Sequence, residues 1–170
     1  MNYFISFRIQ KQFKLILGCF LLLFLNSCYS YKITNKEFRH FKNTDSKETA
    51  YVLNASLQKE YKILEQSNLF KITEDSTKTD LKIKLYPLRT YPSCGNPLMA
   101  QVFTLGQMPV SLPNNYEFQY DQIRNGKTTS QKINLGVTQR YWFWDIFTFN
   151  RNFEKKAGKV LLGESKFKQK

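Results

Sequence analysis

Residues 116–137, YEFQYDQIRNGKTTSQKINLGV, contain a hairpin that can be checked against itself. Tyr116, Phe118 and Tyr120 alternate with Glu117, Gln119 and Asp121. Ile133, Leu135 and Val137 alternate with Asn134, Gly136 and Thr138. Alternation of this kind marks a strand with one face buried and one face wet. Asn125-Gly126 lies between the two runs, and both residue types accept the positive φ of a type I′ turn. A two-residue loop there makes paired positions sum to 251, so Phe118 faces Ile133 and Tyr116 faces Leu135. Turn chemistry and apolar pattern thus select the same register. A slip of one residue would turn every apolar side chain to the wrong face.

Upstream, Leu81, Ile83 and Leu85 alternate with Asp80, Lys82 and Lys84, another half-buried strand. Phe70 and Ile72 flank Lys71 in a shorter run, and residues 74–79 are polar turn material. Pro87 and Pro92 close the strand and open a loop, and Gly106, Pro109 and Pro113 punctuate the apolar stretch 98–113. Before these strands, Ala50, Leu53, Leu57, Tyr61 and Leu64 recur at spacings of three and four. That stripe predicts a long amphipathic helix, capped at Asp45 or Ser46 and ended at Ser67-Asn68. A second, short helix is expected around residues 154–162. A helix followed by strands on short connections predicts an α+β fold, an antiparallel sheet with one long amphipathic helix packed on one face.

Past the hairpin, Tyr141-Trp142-Phe143-Trp144 puts aromatic rings on both faces of the chain, and Ile146, Phe147, Phe149 and Phe153 continue the cluster. Two readings follow. The stretch is a strand buried on both faces, or it is an aromatic rim facing a membrane or partner, where amphipathic rings are favoured. Under the second reading Trp142, Trp144 and Phe147 are the candidate surface. Asp145 marks the end of the strand, so Trp144 is expected to be the more exposed tryptophan.

The first 28 residues carry an address. Arg8, Lys11 and Lys14 precede the almost wholly apolar run 15–25, with no acid before Cys28. The run is too short to span a bilayer, which takes about 20 apolar residues, and has the form of a secretory signal. Leu25-Asn26-Ser27-Cys28 resembles the lipobox of bacterial lipoproteins, with Leu at −3, Ser at −1 and Cys at +1. The resemblance implies cleavage before Cys28 and lipidation of its sulfur, with palmitate or another acyl chain on the new amine. It implies a signal peptide over 1–27 and a lipid anchor on Cys28; the length and pattern of the rest then give a lipid-anchored segment 28–45, a single domain 46–164 and a basic tail 165–170. It places the protein in the bacterial cell envelope. Tyr29 stands where Asp would favour inner-membrane retention in enteric bacteria, which leans toward the outer membrane.

A looser resemblance covers about residues 57–144. Asn68-Leu69-Phe70, Thr79-Asp80-Leu81-Lys82-Ile83 and Thr104-Leu105-Gly106-Gln107-Met108-Pro109 lie in that order ahead of the hairpin and the Tyr141-Trp142 strand. Together they are similar to small, mostly uncharacterised envelope lipoproteins with a Thr-Leu-Gly-x-x-Pro segment. That resemblance implies an α+β fold and an envelope address, and no catalytic residue to carry over.

Chemistry is sparse. His40 is the single histidine, which excludes a multi-histidine metal site. Of the three cysteines, Cys19 leaves with the signal and Cys28 is consumed by lipid, so Cys94 is the remaining thiol and no internal disulfide is expected. A Cys94 nucleophile with His40 as base would make an envelope hydrolase, although nothing in the spacing supports that pair. Glycines are scattered rather than grouped to cradle phosphate, and no cofactor or metal is expected. Removing Arg8, Lys11 and Lys14 from a chain of net charge +13 leaves +10. In the cytoplasm such a charge would suggest nucleic acid; an exported protein meets anionic lipid or another envelope protein instead. The expectation is therefore a non-catalytic binding or assembly-accessory lipoprotein, with a hydrolase or a surface-exposed adhesin as the alternatives.

Overall fold

The computed structural model describes residues 29–40, 46–91, 99, 103–104, 107–142, 144–145 and 152–167. The signal segment, Cys28, Cys94, Phe147 and the end of the basic tail lie outside the described residues. Seven strands and two helices are described: β1 (Tyr29–Ile33), β2 (Glu48–Val52), α1 (Gln58–Ser67), β3 (Phe70–Thr73), β4 (Lys82–Leu85), β5 (Arg89–Tyr91), β6 (Val110–Arg124), β7 (Lys127–Tyr141) and α2 (Phe153–Phe167). The strands form one sheet in the order β1-β7-β6-β4-β2-β3, with β5 also on β6.

The hairpin takes the register read from the sequence. Phe118 pairs with Ile133, Tyr116 with Leu135, and the ladder runs from Arg124–Lys127 to Val110–Tyr141. Asn125 and Gly126 have φ of 49° and 75°, as a type I′ turn requires. The strands are much longer than their alternating cores, at 15 residues each. Pro113 lies beyond the described β5 ladder, which reaches Asn115, and β4 pairs further along, so among the described residues it meets a ladder on the β7 side alone.

The expectation of an antiparallel sheet under one long amphipathic helix is overturned in both parts. The sheet is mixed: β2 runs parallel to both β3 and β4. The helix predicted from Ala50 onward is instead a strand, a turn and a helix of 10 residues. Ala50 and Val52 are buried and Leu53 is 46% exposed, so the first half of the apolar stripe has a period of two. Thr49, Tyr51 and Val52 are the β-branched and aromatic residues that favour a strand. As an internal strand, β2 is flanked by ladders on both sides, which outweighs the helical coincidence of Ala50 and Leu53. The buried stripe of α1 is Glu60, Ile63, Leu64 and Ser67. Asn68 ends the helix in the left-handed conformation at φ 56°.

Parallel neighbours need a crossover, and α1 supplies it between β2 and β3. From β3 to β4 the connection is short because the two strands are offset along β2. β3 pairs with Glu48 to Tyr51, whereas β4 pairs with Tyr51 and Val52, so the chain need not return along the sheet. Asp75 caps this connection by accepting from the Thr77 amide, and the Thr79 hydroxyl donates to the Thr49 carbonyl at 2.6 Å.

α2 reaches well beyond the expected 154–162. Asn152 accepts from the Lys155 amide at 2.8 Å, the side-chain cap that starts it. Its first residue, Phe153, lies edge-on to Tyr31 and Tyr116, at 5.2 and 4.8 Å between ring centres. Gly158 sets the distance to α1: a Cβ there would lie 2.7 Å from the backbone of Gln66 and Ser67. Gly163 receives the Phe38 ring. The core is the face shared by Phe118, Tyr120, Ile133, Leu135, Val137, Ile83 and Leu85 with Ile63, Leu64, Ala157, Val160 and Leu161 of the helices.

Candidate functional site

Three strand ends meet at one end of the sheet. β1 starts at Tyr29 and β6 at Val110, and both pair with Tyr141, where β7 stops. The Tyr29 and Tyr141 rings lie 6.5 Å apart, and Tyr29 is edge-on to Tyr31 at 5.7 Å. Burial, followed by the neighbouring Tyr116, Tyr29, Tyr141 and Glu154, pushes the Tyr31 hydroxyl up to about 12. Burial likewise raises Tyr141.

From Tyr141 the chain turns tightly, with the Asp145 amide donating to the Trp142 carbonyl at 3.0 Å. A buried polar node fixes that turn. Asp145 is fully buried, and its Oδ2 accepts from Ser30 Oγ at 2.8 Å and from Arg140 Nε at 2.9 Å. Arg140 Nη2 pairs with Oδ1, which completes a two-pronged ion pair. The Arg140 guanidinium also lies 4.9 Å from the centre of the Trp142 ring. Trp142 is half-buried and its Nε1 donates to the Gln107 carbonyl at 3.0 Å. Trp144 is 48% exposed. Of the three aromatic residues singled out in the sequence, the structure therefore brings Trp142 and Trp144 to this end and makes Trp144 the more exposed; Phe147 lies outside the described residues.

Beside the same edge strand is a cleft of about 320 Å³ lined by Lys32, Ile33, Arg39, His40, Lys156 and Lys159. Three elements supply it: β1, the 3-10 turn after it and α2. Arg39 Nε and Nη2 donate to the Ile33 carbonyl at 3.2 and 3.0 Å, and Lys159 Nζ donates to the Arg39 carbonyl at 3.3 Å. Burial, then Arg140 and Arg39, lowers the Lys32 ammonium, with Asp145 opposing. Burial, then Lys159, Lys155 and Arg39, lowers Lys156. Among the described residues that line this cleft there is no carboxylate. The sequence showed His40 as the single histidine and the positive charge as a net excess, without bringing the two together. The available signal was Lys32, Arg39 and His40 within nine residues, together with Lys155, Lys156 and Lys159 on one helix.

On the wet face, Asp121 accepts from Ser130 Oγ at 2.6 Å and from the Tyr86 hydroxyl at 2.7 Å. These bonds hold the Asp121 carboxyl below the usual carboxylate range, and the same contact raises Tyr86. The cluster ties β7, β6 and the chain after β4 together. A depressed carboxylate that accepts both hydroxyls is a poor base for activating either one. Among the described residues no group of three His, Cys, Asp or Glu is placed to hold a metal ion. Cys94, the proposed nucleophile, lies outside the described residues. Among the described residues no helix is long and apolar enough to cross a membrane. No protein-family model matches the chain, and no curated protein is similar to it in sequence.

Proposed function

We propose that this chain is a lipid-anchored protein of the bacterial cell envelope, leaning to the outer membrane, that works by binding and not by catalysis. The observation that carries this reading is the position of β1. Its first residue is Tyr29, the residue next to Cys28. Covalent geometry keeps adjacent Cα atoms about 3.8 Å apart, so a lipid on Cys28 would be joined to the sheet with no tether. Two or three acyl chains on one residue would anchor the protein stably. The end of the sheet nearest the anchor is the one that carries Tyr29, Tyr141, Trp142 and Trp144. Tyrosine and tryptophan are the side chains favoured at a membrane–water interface, where a ring meets acyl chains and its polar edge meets water.

In this arrangement the domain stands on the bilayer by its aromatic end. The Asn125-Gly126 turn, at the other end of β6 and β7, lies roughly 45 Å away along the strands at about 3.4 Å per residue. The Ser30–Arg140–Asp145 node holds the aromatic turn in place. The positive charge of the mature chain adds attraction to anionic headgroups.

The anchor is tested by expressing Cys28→Ala beside the wild type. The wild type should show a mature mass that includes a diacylglyceryl cysteine and should partition into detergent. The variant should lose both properties. Equal mass and equal partitioning would refute the anchor.

A further inference from the structure

We propose that the cleft between β1 and α2 is a binding site for a phosphate-bearing ligand, held by Lys32, Arg39, His40, Lys156 and Lys159. Of the six described residues that line it, five present nitrogen donors, and the sixth, Ile33, contributes an apolar wall. Two of the charges are held in place by hydrogen bonds. Arg39 is fixed by two hydrogen bonds to the Ile33 carbonyl, and Lys159 by one to the Arg39 carbonyl. A guanidinium has five N–H donors, so Arg39 keeps three to offer a ligand; the Lys32 and Lys156 ammoniums bring three each, and Lys159 keeps two. Such a density of donors around one concavity suits an anion with several oxygens and more than one charge. A phosphoryl group has that form, and an Arg fork matches it.

The energetics point the same way. Burial and cationic neighbours disfavour the charged forms of Lys32 and Lys156. Arg39 repels both lysines, with Arg140 also acting on Lys32 and Lys159 and Lys155 on Lys156, and an anion in the cleft would relieve that repulsion. The volume of about 320 Å³ lies at the low end for small-ligand sites, enough for a phosphate with a small substituent and too little for a polymer to enter.

The phosphate has two sources, a free phosphorylated small molecule or a lipid headgroup. Lys32 is three residues from Tyr29, roughly 10 Å along the strand, so a headgroup is within reach if the aromatic end sits on the bilayer. That source rests on the proposed anchoring; recognition of the phosphate itself does not.

The experiment is thermal unfolding of the full chain in a non-ionic detergent at fixed ionic strength. The titrants are pyrophosphate, dihexanoyl phosphatidic acid and, as the reference, chloride. Pyrophosphate or the short-chain lipid should raise the melting temperature by several degrees where chloride does not. Pyrophosphate alone being effective assigns a free ligand, and the lipid alone being effective assigns a headgroup. Lys32→Gln with Lys156→Gln should abolish the rise and leave the ligand-free protein at least as stable as the wild type, since repulsion is removed. Lys71→Gln with Lys82→Gln, on exposed positions of β3 and β4, should keep the rise. A second variant, Lys159→Gln, and the broadening of the pyrophosphate ³¹P resonance provide the same comparison without relying on one substitution. Absence of any rise with both phosphates, or a rise that survives in the Lys32/Lys156 variant, would overturn the site.

Discussion

Asp145→Ala is the most informative single perturbation of the aromatic end. Asp145 is fully buried, and three donor contacts converge on its carboxylate: one from Ser30 and two from Arg140. The substitution removes all three and leaves Arg140, whose side chain is 16% exposed, without that partner. Breaking a buried ion pair by removing one member costs about 3–5 kcal/mol, chiefly because the survivor is desolvated and unpaired. Partial access of water to Arg140 puts the expected cost at the low end, about 3 kcal/mol. For a domain of this size that corresponds to a fall of roughly 10 °C in melting temperature. Replacing both partners, Arg140→Met with Asp145→Leu, removes the unpaired charge and should recover most of the loss, since apolar pairs often substitute for buried ion pairs at little cost. Chemical denaturation of the wild type, the single variant and the double variant supplies the comparison. A loss below about 1 kcal/mol for Asp145→Ala, or a double variant no more stable than the single one, would refute the buried node as the clamp on this turn.

Gly158→Ala should destabilise although alanine is the better helix former. The propensity gain is about 1 kcal/mol, but the new Cβ would lie 2.7 Å from rigid backbone of α1, and overpacking of that kind costs about 1–3 kcal/mol or more. A rise in melting temperature would mean the helices are further apart than described. Gly126→Val should cost roughly 1–3 kcal/mol through backbone strain, because φ is 75° there and nothing lies within 4 Å of the added Cβ; unchanged stability would refute the type I′ turn. Tyr31 should ionise near 12. A raised folded value means that its contribution to stability is complete below about 10, the unfolded value, and is lost as pH rises toward 12. Absorbance titration of wild type against Tyr31→Phe checks it, and the absence of a late-ionising tyrosine from the difference would contradict the burial of that hydroxyl.

Local sequence carried the hairpin because everything that specifies it is local: two alternating runs and a turn pair that accepts positive φ. The same reasoning failed at residues 50–57. Ala50, Leu53 and Leu57 fit a helical period, while Ala50 and Val52 fit a strand, and nothing within the window decides between them. The decision comes from β3 and β4, which pair with β2 from both sides. The mixed sheet was hidden for the same reason, since strand direction depends on the offset of β3 and β4 along β2. The polar node was hidden by distance: Ser30 and Asp145 are 115 residues apart. Asp145 was legible as a strand end and hence as a reason for Trp144 to be exposed, but not as a buried ion-pair partner. The basic cleft combines charges from β1, the following turn and α2, none of which is unusual alone.

In the proposed arrangement the end of the sheet beside Cys28 faces the bilayer. That orientation is tested by quenching with brominated phospholipid in vesicles that hold the lipidated protein. One variant, Trp142→Phe, keeps Trp144 as its single tryptophan. The other replaces both tryptophans by Phe and places a reporter next to the hairpin turn through Lys127→Trp. Trp144 should be strongly quenched and the reporter at residue 127, which lies roughly 45 Å away along the strands, should not be quenched at all. Equal quenching at the two positions, or none at Trp144, would contradict that orientation.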